Sequence, residues 1–162
     1  MAQTSFACII AAETVTVICF PLLQGAFPTQ FTSVPESSLI QVHAENDGVT
    51  QVIENLDGLT NLNSIFLGKN RITKLQNMDS LINLKILGVQ SNRLTKIEGL
   101  GRLVNLEQLY CSHNGIEVLE GLDNNVKLQT LDMAVNRIKK IENISHLTEI
   151  EEFWVFAKMY FA

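Results

Sequence analysis

Several groups of residues in this 162-residue chain have types and spacings that bear on chemistry. His43-Ala44-Glu45 has the order of a zinc-deaminase fragment, where His binds metal and Glu moves protons. The P-C-x-x-C partner that would supply the remaining ligands is absent. Gly99-Leu100-Gly101 starts like a dinucleotide fingerprint, but Val104 stands where Gly or Ala is needed and no suitable strand–helix junction precedes it. It reads as a loop. Cys8, Cys19 and Cys111 are too few and too scattered for a disulfide framework or a zinc site, and they suit a reducing compartment. His113 and His146 fall at unrelated positions and read as surface or loop residues. Asn143-Ile144-Ser145 is a glycosylation sequon, with meaning only in a secreted chain. No catalytic constellation, metal set or cofactor cradle comes out of these residues. The expectation is a protein that is not an enzyme and carries no cofactor.

Composition narrows the class further. Apolar residues make up 46% and charged residues 18%, which excludes wholesale disorder. Twelve Lys and Arg against seventeen Asp and Glu leave a net charge of −5, the wrong sign for a protein whose main work is neutralising phosphates. Arg71, Arg93 and Arg137, with Lys74, Lys96 and Lys140, fall into register, but Glu98, Glu120 and Glu142 lie in a neighbouring column. That pattern is a solvated mixed face rather than a nucleic-acid stripe. All twelve bases follow residue 58, whereas residues 1–58 carry six acids and no base. Such a shift marks a boundary before residue 59.

Residues 6–27 are apolar enough to suggest targeting, yet they lack the basic start and small-residue cleavage site of a secretory signal. Glu13 and Pro21 count against a membrane span, since a central carboxylate costs ~3 kcal/mol on insertion scales. Residues 1–36 are therefore expected to be a leader of uncertain order, with Val34-Pro35-Glu36-Ser37-Ser38 as linker.

The elements that position everything else are repeats of 22 residues, beginning at Leu59, Leu81, Leu103 and Asn125. They read LTNLNSIFLGKNRI, LINLKILGVQSNRL, LVNLEQLYCSHNGI and NVKLQTLDMAVNRI. Seven columns, headed by Leu59, Leu62, Ile65, Leu67, Ile72, Leu75 and Met78, are apolar at 27 of 28 positions, where a 46% composition would supply about thirteen. The exception is Asn125. Cys111 shares a column with Leu67, Val89 and Met133, so it reads as core. An eighth column is Asn throughout: Asn70, Asn92, Asn114 and Asn136.

In L-x-x-L-x-L the last apolar positions alternate with polar ones, which predicts a short strand with one buried face. Stacking the repeats sets these strands side by side as the concave parallel sheet of a solenoid. The Asn follows where the chain leaves the sheet, and its amide can both donate to and accept from backbone groups left buried there. The remaining I-x-x-I-x-x-M/L spacing suits an irregular or 3₁₀-like convex side. The expected fold is an α/β leucine-rich-repeat solenoid. Residues 59–146 form four repeats. Residues 37–58 form a degraded first repeat (Leu39, Val42, Ala44, Val49 and Val52, with Asp47 in the Asn place), and 147–162 a truncated fifth repeat without a cap. In that last repeat Leu147, Ile150, Phe153 and Val155 fit the template and Lys158 stands where Asn is due.

Function on such a sheet lies in the side chains that leave the core. One outward column is Phe66, Gly88, Tyr110, Asp132, Trp154, and its neighbour is Ser64, Ile86, Gln108, Thr130, Glu152. Three aromatics and two carboxylates on a short exposed sheet point to partner binding, since aromatics are common interface anchors; cross-strand aromatic packing is the alternative.

The stretches LGKNRITKLQN, QSNRLTKIEGL, SHNGIEVLEGL, NRIKKIENISHL and EEFW, between Ile53 and Trp154, resemble the protein phosphatase 1 regulatory subunit 7 family over about two thirds of the chain. The resemblance implies a non-catalytic subunit of nucleus and cytoplasm. Its concave face would dock on the phosphatase 1 catalytic subunit, with Phe66, Asp132, Glu152 and Trp154 at matching positions. Tyr110 joins them from its place in the column. The chain contains no R/K-V-x-F docking peptide, so docking would use the folded face. Nucleic acid is not an expected partner, and a membrane is not either. Two rival readings are a secreted or membrane-anchored recognition protein, with residues 6–27 as signal or anchor, and a structural scaffold of axonemal or splicing type.

Overall fold

Alternation at the centre of each repeat produces short strands, and a computed structural model of the chain shows them joined into one sheet. The structure describes residues 6–10, 15–21, 40–43, 52–54 and 56–155. The strands are β1 (Phe6–Ile10), β2 (Val15–Pro21), β3 (Ile40–His43), β4 (Leu62–Phe66), β5 (Ile86–Gly88), β6 (Gln108–Tyr110), β7 (Thr130–Asp132) and β8 (Glu152–Trp154). They lie in chain order; β1 and β2 are antiparallel, and each later neighbour is parallel. This is the leucine-rich-repeat solenoid that the spacing predicts. Its return path, among the described residues, is made of turns rather than helix. Those turns close by i→i−3 bonds, as where Leu81 N–H donates to the Met78 carbonyl and Leu84 N–H to that of Leu81, both at 3.0 Å. No helix among the described residues is long and apolar enough to cross a membrane.

Register explains the core. Ile65, Leu87, Leu109, Leu131 and Phe153 stand opposite one another along β4–β8, and the first four are fully buried. Burying one such side chain contributes ~1.5–3 kcal/mol, and Cys111 sits among them as a small apolar residue. Ile141 departs from its column, at 53% exposure. Asn125, the polar exception, is fully buried. Its Nδ2 donates to the Leu100 and Leu103 carbonyls at 3.1 and 2.9 Å, while its Oδ1 has no hydrogen-bond partner.

The Asn column is a ladder that links successive turns. Asn114 Nδ2 donates to the Val89 carbonyl of the preceding turn and the Cys111 carbonyl of its own, both at 3.0 Å, and its Oδ1 accepts the Leu94 N–H at 3.0 Å. Asn92 and Asn136 repeat the pattern, accepting from Ile72 N–H at 2.9 Å and Ile116 N–H at 3.1 Å. A second periodic position, Asn77, Gly99, Gly121 and Asn143, has positive φ in every turn. At Gly99 a Cβ would meet the Leu75 carbonyl oxygen, whereas Asn77 and Asn143 use their amides on the corresponding carbonyls of Ile53 and Leu119.

The segment read as a leader contributes β1 and β2 to the sheet, with β2 parallel to β3. Val15, Val17 and Ile18 have the β-branched shape that suits a pleated surface. In β3, Val42 stands opposite Ile65 after a one-residue shift between Ile40 and Gln41. The linker at 34–38, Leu39, Ala44, Asp47, Val49 and Lys158 lie outside the described residues.

Candidate partner-binding face

Parallel pairing in register brings the proposed anchors into one row. Phe66 stands opposite Gly88, Gly88 opposite Tyr110, Tyr110 opposite Asp132 and Asp132 opposite Trp154. Glu152 lies in the adjacent row, opposite Thr130. The five residues are thus assembled on the concave side by the repeat length itself.

The adjacent row corrects the simple alternation. Ser64 and Thr130, read as outward residues, are only 3% and 8% exposed. Ser64 stands opposite Ile86 and Thr130 opposite Gln108, and on a concave face a short side chain beside longer ones is left little access to water.

Phe66 does not stand upright in solvent. A Cβ built on Gly88 would lie 2.8 Å from Phe66 Cδ1, so the ring lies over the notch that glycine leaves, and Phe66 is half-buried. Packing over a neighbouring strand, the alternative to ligand binding, therefore applies to Phe66. Trp154 differs, with 54% of its surface exposed.

At the Trp154 end of the row lies a concavity of about 380 Å³ whose lining includes Tyr110, His113, Asp132, Val135 and Trp154. The Tyr110 hydroxyl donates to Gln108 Oε1 at 3.1 Å, which fixes the phenol along the sheet. Partial burial pushes its ionisation above the ordinary value, and the Glu152 and Asp132 carboxylates add to the shift. Asp132 Oδ1 accepts the Ala134 N–H at 3.0 Å, so the carboxylate is held in place.

His113 and Val135 enter the site from the rim. Lys69, Ser91, His113 and Val135, one residue before each ladder Asn, are all exposed and all have φ between 53° and 56°. For a β-branched residue this conformation is a real strain. Sequence reasoning assigned His113 only a surface role and did not single out Val135; the one available signal was their fixed offset from the Asn column.

The other candidates fall outside this face. Cys111 is buried, and burial pushes its thiol far up, away from reactivity. His146 Nε2 lies 3.0 Å from the Leu122 carbonyl, a structural contact. Gly99 sits at a left-handed turn position. Lys96 pairs with Glu98 at 2.9 Å and Lys140 with Glu142 at 2.7 Å, which makes that flank the mixed face expected. His43 belongs to β3, and Glu45 lies outside the described residues.

Comparison with known proteins agrees with the architecture. A family model described as leucine-rich repeats in two copies matches residues 82–124 and 104–149. Similar solved structures include an internalin, InlF, of Listeria monocytogenes (TM-score 0.65, 24% identity, 76% of this chain and 36% of that one). Internalin C2 of the same organism gives TM-score 0.61 and 22% identity over 76% of this chain and 53% of that one. A leucine-rich-repeat protein of Leptospira interrogans gives 0.65 and 22% over 73% and 31%. This chain therefore spans about a third to a half of each of these structures. A search of curated protein sequences finds no match.

Proposed function

We propose that this leucine-rich-repeat protein is a non-catalytic subunit that binds a partner protein through its concave face. The partner we propose is the catalytic subunit of a type 1 Ser/Thr phosphatase, met in nucleus and cytoplasm. The observation that carries the binding role is the row from Phe66 to Trp154, which holds aromatics and a carboxylate beside Glu152. Aromatic anchors ringed by polar groups are the usual composition of a recognition surface. The phosphatase is supported by the stretches that resemble its regulatory subunit, including NRIKKIENISHL and EEFW.

Size shapes the proposal. Four strand intervals of ~4.8 Å make the row about 19 Å long, and about five residues per strand at ~3.3 Å give roughly 300 Å² in plan. A stable interface uses about 800 Å² per partner. The partner must therefore reach over the rim as well, onto positions such as His113 and Val135.

The test is capture of purified phosphatase catalytic subunit by the immobilised full chain. Capture is expected from the parent and from Glu120→Gln on the far flank, and it should fall in the Asp132→Ala/Glu152→Ala double variant with circular dichroism unchanged. Phe66→Ala should weaken capture more than Trp154→Ala, since the Phe66 ring is already seated over Gly88, whereas Trp154, 54% exposed, must be ordered on binding. No capture by the parent sinks the phosphatase assignment, and capture indifferent to all concave-face variants sinks the face.

A further inference from the structure

Tyr110, Asp132 and Trp154 occupy consecutive strands of one row and line the same concavity. Strand spacing sets the Tyr110 and Trp154 backbones ~10 Å apart, astride Asp132. Two aromatic faces each in contact with a flat group between them need ~7–8 Å from plane to plane. A backbone spacing of ~10 Å therefore leaves room for one planar layer between two rings that face each other across it.

Carboxylates are the main charged groups of this slot, with the His113 imidazole on its rim. Asp132 is fixed through Oδ1 by the Ala134 N–H, and Glu152, exposed, stands in the adjacent row opposite Thr130. The ion pairs among the described residues join Lys85 to Glu107, Lys96 to Glu98 and Lys140 to Glu142, so none of them neutralises Asp132 or Glu152. Beside partial burial, both carboxylates oppose ionisation of Tyr110, so their field reaches this side chain. A cation entering here meets two ring faces and a fixed carboxylate together, the combination that repays its desolvation.

We propose that the slot receives the guanidinium of an arginine from the partner protein, stacked between Tyr110 and Trp154 with its N–H fork on Asp132. This rests on the concave-face reading and names the chemistry it recognises. Arginine fits better than lysine because its cation is planar, weakly hydrated and stacks on aromatic faces, whereas an ammonium is compact and strongly hydrated.

Trp154 is the only tryptophan of the chain, so its emission reports on the slot directly. The full chain is titrated with acetyl-Gly-Arg-Gly-amide, and with the same peptide carrying lysine or citrulline, the neutral isostere of arginine. The arginine peptide is expected to change the emission saturably, with citrulline weaker by about ten-fold and lysine by several-fold. Asp132→Asn keeps the oxygen that accepts the Ala134 N–H and should weaken the arginine peptide about five-fold or more, whereas Glu120→Gln should leave it unchanged. Absence of a saturable response, citrulline or lysine binding as well as arginine, or an unaltered Asp132→Asn overturns the slot. If the slot fails while Phe66→Ala still loses partner capture, the face survives without it. If capture ignores every concave-face variant, the face itself is wrong.

Discussion

Replacing Asn114 by Ala tests the ladder most sharply, because overlapping bonds decide which backbone groups the loss strands. The Val89 carbonyl would keep the amide of Asn92 at 3.0 Å, and the Cys111 carbonyl that of Asn136 at 3.0 Å. The Ser112 carbonyl would keep the Ser91 N–H at 2.9 Å. Only the Leu94 N–H, which donates to Asn114 Oδ1 in a fully buried residue, loses its partner. An orphaned buried N–H costs about 1–3 kcal/mol, and each of the three lost bonds whose acceptors keep a second donor adds about 0.5 kcal/mol. The expected destabilisation is about 2.5–4.5 kcal/mol, read from urea unfolding by far-ultraviolet circular dichroism. Asn125→Leu supplies the contrast. The carbonyls that Asn125 serves already accept the backbone N–H groups of Leu103 and Leu106, and its own Oδ1 is buried without a partner. Restoring the column's leucine should therefore stabilise the chain by about 1 kcal/mol. An Asn114→Ala variant within about 0.5 kcal/mol of the parent, or an Asn125→Leu variant as damaged as Asn114→Ala, would refute the reasoning.

Gly99→Ala should cost about 2–4 kcal/mol in the same assay, since φ is 71° and the new Cβ meets the Leu75 carbonyl. Gly101→Ala, whose nearest neighbour is 3.7 Å away, should stay within about 0.5 kcal/mol. Val135→Asn should raise stability by about 1 kcal/mol by relieving a β-branched residue at φ 53°, and an unchanged midpoint would remove the strain argument. In a Tyr160→Phe background, absorbance at the phenolate band should show Tyr110 ionising above the ordinary 10.0, with the shift reduced in Glu152→Gln. Because the folded value is raised, the associated stability is present below pH 10.0 and is lost as pH rises through the folded value; titration at or below 10.0 would contradict the site's electrostatics.

The seven apolar columns and the Asn column were legible because one residue type meets the same need in each turn: burial from Ile65 to Leu131, backbone pairing from Asn92 to Asn136. The row of anchors followed from period alone. Burial of Ser64 and Thr130 did not, since alternation assigns a face but knows nothing of curvature. The seating of Phe66 over Gly88 depends on which residues stand opposite across two strands, a pairing visible only once register is known. The Asn77, Gly99, Gly121, Asn143 position carries a signal in its residue types, as both tolerate positive φ. Lys69, Ser91, His113 and Val135 carry none in their residue types, sharing only their backbone and their place before the ladder Asn.

That shared backbone makes the rim a set of interchangeable mounts. An ammonium, a hydroxyl, an imidazole and an isopropyl group each stand exposed on a main chain of nearly the same shape. The neighbouring hydrogen bonds that hold this shape, from Lys69 N–H to the Gln90 carbonyl at 2.8 Å, Ser91 N–H to Ser112 at 2.9 Å and His113 N–H to Ala134 at 2.9 Å, use only main-chain atoms. The side chain makes none of these bonds, so its chemistry can be exchanged at each step along the solenoid without redesigning the turn beneath it, at no more than the about 1 kcal/mol that a β-branched residue such as Val135 costs there. What the surface recognises can then vary separately from what keeps the chain folded.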